Sequence, residues 1–211
     1  MSAVVEESLR GALGPAPLAL PPDGDRPLVD LELPLGLGRL VTRKRLAGFK
    51  RAAVLVPLLR RDDGFRVLLT RRADHLRAHR GQVSFPGGRF EPDDGHLITT
   101  ALRETEEEIA LPRDRIEVIG SLDDYPTLTR YLITPVVGVV ADPPELRADR
   151  NEVADIFEIP LDHLLDPASF RRRIGEKDGM RVPFYEIDYG AHRVWGATAG
   201  MLWNMHNKLR A

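Results

Sequence analysis

Apolar residues occur in short runs broken by polar turns along most of the chain, a pattern that predicts mainly β-structure. Two such runs, residues 52–59 and 65–70, are separated by Arg61-Asp62-Asp63-Gly64, which is typical of a β-hairpin with a glycine-containing turn. Further strands are predicted for residues 82–85, 116–122, 132–140, 153–159, 181–187 and 192–195. Pro86-Gly87-Gly88 is expected to end the first of these.

Helical spacing is restricted to three segments. One apolar stripe predicts a helix that begins after an Asp94 N-cap and ends at Pro112; it consists of Leu97, Ile98, Ala101, Leu102, Thr105 and Ile109. A second helix is predicted over residues 197–209, and a short one around Val5, Leu9 and Leu13. Strands outnumber helices, so the predicted class is α+β, with a mixed β-sheet covered by helices.

Prolines concentrate near the N-terminus, where they argue against a regular core element: Pro15, Pro17, Pro21, Pro22, Pro27 and Pro34. We therefore expect residues 1–35 to form an N-terminal extension on the domain surface. Residues 36–211 are expected to form a single domain, which the length of 211 residues permits.

Composition and charge exclude several classes of protein. Thirty Lys and Arg residues against 32 Asp and Glu give a net charge of −2, so nucleic acid is not an expected partner. The absence of cysteine excludes a disulfide scaffold, a zinc-thiolate site and a cysteine nucleophile. No apolar stretch reaches the length of a membrane span, and Glu6 and Glu7 stand where a signal peptide carries positive charge. The expectation is a cytoplasmic protein without a membrane partner, whose oligomeric state stays open.

One predicted helix carries an unusual concentration of carboxylates. At about 100° per residue, Glu104, Glu107 and Glu108 share one face, whereas Glu106 points nearly the opposite way. Like charges four residues apart cost about 0.2–0.5 kcal/mol per pair, and Arg103 can offset only Glu107 at that spacing. A bound divalent cation would reverse this repulsion, and hard oxygen ligands suit Mg²⁺ or Mn²⁺. An ordinary solvated helix face explains the same residues at this point.

The context of this helix resembles the Nudix box. Gly88 is followed by five residues, Asp94, eight residues and then Arg103-Glu104-Thr105-Glu106-Glu107-Glu108-Ile109-Ala110-Leu111. The usual box has Glu in place of Asp94, a spacer one residue shorter, and Gly in place of Ala110.

These departures resemble the form of the box found in the coenzyme A diphosphatase subgroup. The preceding segment, residues 68–88, also resembles that subgroup through Leu-Arg-x-His-x-Gly-Gln-Val-x-Phe-Pro-Gly-Gly. Later similar segments are residues 134–138, 151–153 and 195–199. The resemblance covers about residues 50–205 and leaves out the N-terminal extension.

The resemblance implies a fold, a reaction and a set of catalytic residues. The fold would be an α/β/α sandwich in which the box forms a strand, a loop and a helix. The reaction would be metal-dependent hydrolysis of the diphosphate of coenzyme A, or of its thioesters or disulfide, to 3′,5′-ADP and 4′-phosphopantetheine. Glu104, Glu107 and Glu108 would be the ligands of Mg²⁺ or Mn²⁺, and Arg103 would orient them. One of these carboxylates, or Glu152, would act as general base.

The resemblance also implies substrate contacts, which we expect at Arg71, Arg77, His79, Gln82, Phe85, Gly87 and Gly88. Two alternatives stay open. The first is a Nudix hydrolase for another nucleoside diphosphate, such as ADP-ribose or NADH. The second is a non-catalytic nucleotide or RNA sensor, which would normally have lost box carboxylates that this sequence retains.

Overall fold

The computed structural model describes residues 2–13, 15–23, 25–31, 46–76, 80–177 and 179–210. The helices are α1 (Ser2–Leu13), α2 (Leu97–Ile109), α3 (Leu161–Leu165) and α4 (Ala197–Arg210). The strands are β1 (Lys50–Arg61), β2 (Gly64–Arg72), β3 (Val83–Ser84), β4 (Gly87–Arg89), β5 (Glu117–Ser121), β6 (Tyr125–Pro126), β7 (Tyr131–Val140), β8 (Val153–Pro160), β9 (Arg171–Lys177), β10 (Met180–Tyr189) and β11 (His192–Trp195). The α+β class is thereby confirmed.

The larger sheet is mixed, as predicted. Its central order is β3-β2-β1-β7-β5, with β4 paired to β1, β6 to β7 and β8 to β2. Strands β1 and β7 run parallel, whereas β1 and β2 form the predicted hairpin with Arg61 opposite Gly64. Strands β9, β10 and β11 form a separate antiparallel sheet.

Helices cover both faces of the larger sheet, because successive residues of its central strand are apolar on both sides. Leu55 and Leu59 of β1 belong to an apolar cluster that includes Ala101 and Ile109 of α2. On the opposite face, residues of β1, α1 and α4 form a second apolar cluster. It includes Val54, Val56 and Leu58 of β1, Leu9 of α1, and Leu202 and Met205 of α4. The result is an α/β/α sandwich, with α2 on the face that carries the candidate site.

The N-terminal residues contact this core at several places, two of which involve Leu9 and Arg26. Leu9 of α1 is buried in the cluster beside α4. Arg26 donates from Nε to Asp124 Oδ1 at 3.0 Å, and Asp124 also accepts from Arg51 at 3.0 Å. The domain boundary expected between residues 35 and 36 lies outside the described residues.

One local prediction is incomplete and another is wrong, and both concern the approach to α2. Gly87 and Gly88 do not simply end a strand, since they form β4, in which Gly88 lies opposite Ala53 of β1. The N-cap of α2 is His96, whose Nδ1 accepts from the Thr99 N–H at 3.3 Å, and not Asp94. Asp94 instead ends a 3₁₀ turn and faces Arg103.

None of the helices in the described part of the chain combines the length and the apolar character needed to cross a lipid bilayer.

Candidate active site

The floor of the candidate site is the glycine pair of β4. Gly87 has φ of +150°, and a Cβ there would lie 2.5 Å from the carbonyl oxygen of Ala53. A Cβ at Gly88 would overlap the carboxyl group of Glu104. The Gly87 N–H donates to Oε2 of Glu108 at 3.2 Å. Glycine at both positions therefore lets the carboxylates of α2 lie directly on the strand backbone.

Glu104 and Glu108 lie one turn apart on α2 and are withdrawn from solvent. The Glu104 side chain is 19% exposed and Glu108 only 6% exposed. Burial raises the pKa of Glu104, although Arg103 opposes the effect. Burial, together with the charges of Glu104 and Glu152, raises the pKa of Glu108 to about 8, although the hydrogen bond from the Gly87 N–H opposes the shift. This pair is therefore a buried acidic region in which the ionised carboxylates are disfavoured unless a cation binds.

Arg103 holds the neighbouring acidic residues in place. Its Nε donates to Asp94 Oδ1 at 2.8 Å, and its Nη1 donates to Glu104 at 3.0 Å and to Glu107 at 3.2 Å. The predicted pair with Glu107 is present, but the shortest of these contacts is the one to Asp94. These bonds lower the pKa of Asp94 to about 2 and raise that of Arg103. Both groups therefore stay charged across the neutral range.

The two remaining carboxylates of the helix separate as the helical spacing predicts. Glu107 is exposed at the edge of the site and contacts Arg103. Glu106 is exposed on another face, where Arg113 Nε donates to it at 2.7 Å. Glu106 thus takes no part in the acidic region around Glu104.

A loop fixed to the end of α2 places Glu152 beside the same region. The Asp149 N–H donates to the Glu108 carbonyl at 2.9 Å, and the Asp149 carbonyl accepts from the Glu152 N–H at 3.0 Å. The Glu152 carbonyl in turn accepts from the Ala73 N–H at 2.8 Å, just beyond β2. Glu152 is exposed, and its charge raises the pKa of both Glu104 and Glu108.

Within the described ranges, no three Asp, Glu or His side chains converge closely enough to enclose a metal ion. The donor set nevertheless fits a hard divalent cation, because Glu104 and Glu108 present carboxylate oxygens from a shared face. Burial raises the pKa of both carboxyl groups, so their ionised forms are disfavoured in the metal-free protein. Bringing Mg²⁺ or Mn²⁺ to these carboxylates would remove that penalty.

The residues predicted to contact substrate are distributed unevenly. Arg71 lies in β2 and binds Asp74 at 2.9 Å. Because side chains alternate along a strand, Arg71 lies on the same face of β2 as Leu69, and that face packs against α4 and not against α2. The Gln82 carbonyl accepts from the Arg72 N–H at 2.9 Å, at the point where β3 approaches β2. Arg77 and His79 lie outside the described residues.

Phe85 is a correction to the predicted substrate contacts. Its side chain is only 2% exposed and belongs to the apolar cluster on the α4 face. A residue buried in this way packs the core, so we assign Phe85 a structural role.

Arg72 is the residue that the sequence analysis did not select. In the alternation of β2 its side chain lies on the same face as that of Leu68, which packs against α2, so it points toward the face that carries the candidate site. Its charge lowers the pKa of Glu108. Strand alternation was the signal that separates Arg72 from its neighbour Arg71.

Comparison with known proteins identifies the class to which this fold and site belong. Residues 49–177 match the family model described as NUDIX domain. The chain therefore belongs to the Nudix family and is a Nudix hydrolase, an enzyme acting on nucleoside diphosphate derivatives. Nudix hydrolases generally use divalent metal ions.

Two similar sequences are proteins called "Uncharacterized Nudix hydrolase NudL", from Yersinia pestis strain Pestoides F and Yersinia pseudotuberculosis strain IP 31758. Each is 42% identical over 153 residues, which cover 72% of this chain and 76% of the relative.

Solved structures with a similar fold include a Caenorhabditis elegans Ap4A hydrolase binary complex, with a TM-score of 0.46 and 17% identity over 53% of this chain and 80% of that one. Another is the NUDIX domain of Shewanella oneidensis NrtR complexed with ADP ribose, with a TM-score of 0.43 and 21% identity over 61% and 84% of the two chains.

Proposed function

We propose that this Nudix hydrolase cleaves the diphosphate of coenzyme A, releasing 3′,5′-ADP and 4′-phosphopantetheine, with Mg²⁺ or Mn²⁺ as cofactor. The observation that carries the proposal is the packing of Glu104 and Glu108 on the backbone of Gly88 and Gly87. That glycine pair ends residues 68–88, the segment whose sequence resembles coenzyme A diphosphatases. The segment that resembles the subgroup therefore ends at the two glycines that contact Glu104 and Glu108.

In this proposal the carboxylates of α2 hold the metal. Glu104 and Glu108 are its main ligands and Glu107, exposed at the rim, is a third. When bound, the ion neutralises the diphosphate and activates water for attack. Arg103 keeps Glu104 and Glu107 in a fixed orientation through its bonds to both and to Asp94.

Glu152 is the proposed general base. It is solvent-exposed and lies beside Glu104 and Glu108, on a loop anchored to the Glu108 carbonyl. The attacking water oxygen forms a bond to phosphorus, the bridging P–O bond breaks, and the proton passes from water to the Glu152 carboxylate.

Selectivity for coenzyme A is proposed to come from the segment before the box. Arg71, Arg77, His79 and Gln82 are the candidates for contacts with the 3′-phosphate or the pantetheine arm. The backbone of Gly87 and Gly88 is the candidate for close approach to the diphosphate.

The test is mass spectrometry of products after incubation of the protein and Mg²⁺ or Mn²⁺ with coenzyme A, dephospho-coenzyme A, ADP-ribose or NADH. The proposal expects 3′,5′-ADP and 4′-phosphopantetheine as the products formed with the highest kcat/KM. Preferential cleavage of ADP-ribose or NADH would assign the enzyme to another nucleoside diphosphate. Binding without turnover of any of the four would favour a nucleotide sensor.

A further inference from the structure

Arg72 is the last residue of β2 and lies at the end of that strand nearest the candidate site. Across the strand pair it lies opposite Val153, next to the proposed base Glu152. Its backbone N–H bonds to Gln82, and the following N–H, of Ala73, bonds to the Glu152 carbonyl. The backbone of Arg72 is therefore held on both sides, and its side chain projects from the face that α2 covers.

Within the part of the chain that the structure describes, the guanidinium of Arg72 has a donor that no protein group satisfies. Its Nε is buried and has no hydrogen-bond acceptor among the described residues. Glu108, the nearby acid, accepts instead from the Gly87 N–H. By contrast, Arg103 on the other side of the site already binds Asp94, Glu104 and Glu107.

A buried donor without an acceptor is unfavourable, so a protein that keeps one at the candidate site gains from a ligand that supplies the acceptor. The substrate of a Nudix hydrolase carries a diphosphate, and a guanidinium presents its N–H groups in a fork that matches phosphate oxygens. An anion entering an acidic region also needs a nearby positive charge. Arg72 meets both requirements, whereas Arg103 is saturated.

We infer that Arg72 binds a phosphate oxygen of the substrate diphosphate beside Glu108 and stabilises the charge that develops as the P–O bond breaks. This inference rests on one part of the proposed function, namely that the substrate contains a diphosphate. It therefore applies equally to coenzyme A and to ADP-ribose.

The experiment compares Arg72→Gln and Arg72→Lys with Arg66→Gln in the full chain. Arg66 lies on the same strand and the same face, binds Asp63 in the hairpin turn, and is about 20 Å away at 3.3 Å per residue. Three quantities are measured: the affinity for Mn²⁺ alone, the affinity for ADP in the presence of Ca²⁺, and kcat/KM for the diphosphate substrate that the wild type cleaves fastest.

Arg72→Gln is expected to weaken ADP binding about 10-fold or more and to lower kcat/KM about 100-fold, as expected for loss of a hydrogen bond between charged groups. Its affinity for Mn²⁺ alone should stay unchanged or rise, because a cation has been removed from beside Glu108. Arg72→Lys should recover part of the ADP affinity, and Arg66→Gln should match the wild type.

Two results would overturn the inference. One is ADP affinity and kcat/KM within twofold of wild type in Arg72→Gln. The other is a parallel loss of Mn²⁺ affinity, which would make Arg72 a support for the metal ligands. If Arg72→Gln fails to fold, Arg72→Lys decides by the same criteria, since it keeps the charge but not the fork. If the wild type leaves coenzyme A intact, the proposed substrate fails, while the ADP measurement still tests Arg72.

Discussion

The carboxyl group of Glu104 lies directly against the α-carbon of Gly88, so closely that a single methyl group on that carbon would overlap it. This contact sets the distance between α2 and β4 at the candidate site. It also explains why glycine at this position precedes a helix of carboxylates, since any side chain would push Glu104 away from the strand.

The first prediction concerns this contact. Gly88→Ala should lower kcat/KM about 100-fold, because Glu104 must move, and should destabilise the protein by about 1–3 kcal/mol through overpacking. Steady-state kinetics and urea unfolding measure the two effects. Gly11→Ala is the control, because its added Cβ meets nothing within 4 Å and favours helix α1. Wild-type kcat/KM in Gly88→Ala would show that the position of Glu104 does not matter.

A second prediction follows from Asp94, whose pKa Arg103 lowers to about 2. Because the folded-state pKa lies below the ordinary 3.8, the ionised form stabilises the fold above pH 4, and this contribution is lost as the pH falls toward 2. Asp94→Asn should therefore reduce the free energy of unfolding by roughly 2 kcal/mol at pH 7.

The measurement is urea unfolding in EDTA at pH 7, 5 and 3. The difference between Asp94→Asn and wild type should shrink at pH 3. Asp62→Asn, in the exposed hairpin turn, should change stability by no more than about 0.5 kcal/mol. An Asp94→Asn difference that stays constant over this range would contradict a charged pair with Arg103.

A third prediction concerns Glu108, whose pKa is shifted in the opposite direction to that of Asp94. Glu108 has a pKa raised to about 8, so the metal-free fold favours its protonated form and loses stability as the pH rises from 4.5 through 8. Glu108→Gln removes this loss and should exceed the wild type by roughly 1–4 kcal/mol at pH 8 in EDTA, but not at pH 4.5.

Thermal unfolding across this pH range, with and without Mg²⁺, provides the test. Mg²⁺ should stabilise the wild type more than Glu108→Gln, because the ion binds the ionised carboxylate. Glu106→Gln, bound to Arg113 away from the site, is the control. Equal stability of wild type and Glu108→Gln at pH 8 in EDTA would mean that burial of Glu108 carries no such penalty.

The sequence predicts the parts of the fold that periodicity determines. The β1–β2 hairpin, α2 and α4 follow from apolar spacing, and the structure confirms them. Strand β4 could not be recognised, because Gly87 and Gly88 favour a turn locally and become a strand only by pairing with β1. Strand β9 begins with three arginines and is held by β10, so its own pattern carries little signal.

For the site, helical spacing correctly separated Glu106 from Glu104 and Glu108. It could not reveal which acid binds Arg103 most closely, since Asp94 lies nine residues away and reaches Arg103 only through the 3₁₀ turn before α2. Nor could it show that Phe85 faces the core, because a short strand beside glycines has no clear alternation.

A fourth prediction concerns Ala110, at the place where the usual Nudix box has glycine. Ala110 ends α2 in the left-handed conformation, with φ of 55°. This conformation costs a non-glycine residue about 1–2 kcal/mol. Glycine avoids that cost, but its unfolded chain is more flexible, so part of the gain is offset by entropy lost on folding. Ala110→Gly should therefore raise the free energy of unfolding by about 0.5–1 kcal/mol and leave kcat/KM unchanged. A lower unfolding free energy would show that the Ala110 methyl group contributes more by packing than its conformation costs.

The most direct test of the catalytic face is kcat/KM for diphosphate hydrolysis in Glu108→Gln and Glu106→Gln, measured side by side. These substitutions make the same chemical change two residues apart on one helix, but only Glu108 lies on the Gly87 backbone. Glu108→Gln should lower kcat/KM at least about 1,000-fold through loss of a metal ligand, while Glu106→Gln should stay within about twofold of wild type. Equal losses in the two variants would contradict the assignment of the Glu104 and Glu108 face as the catalytic one.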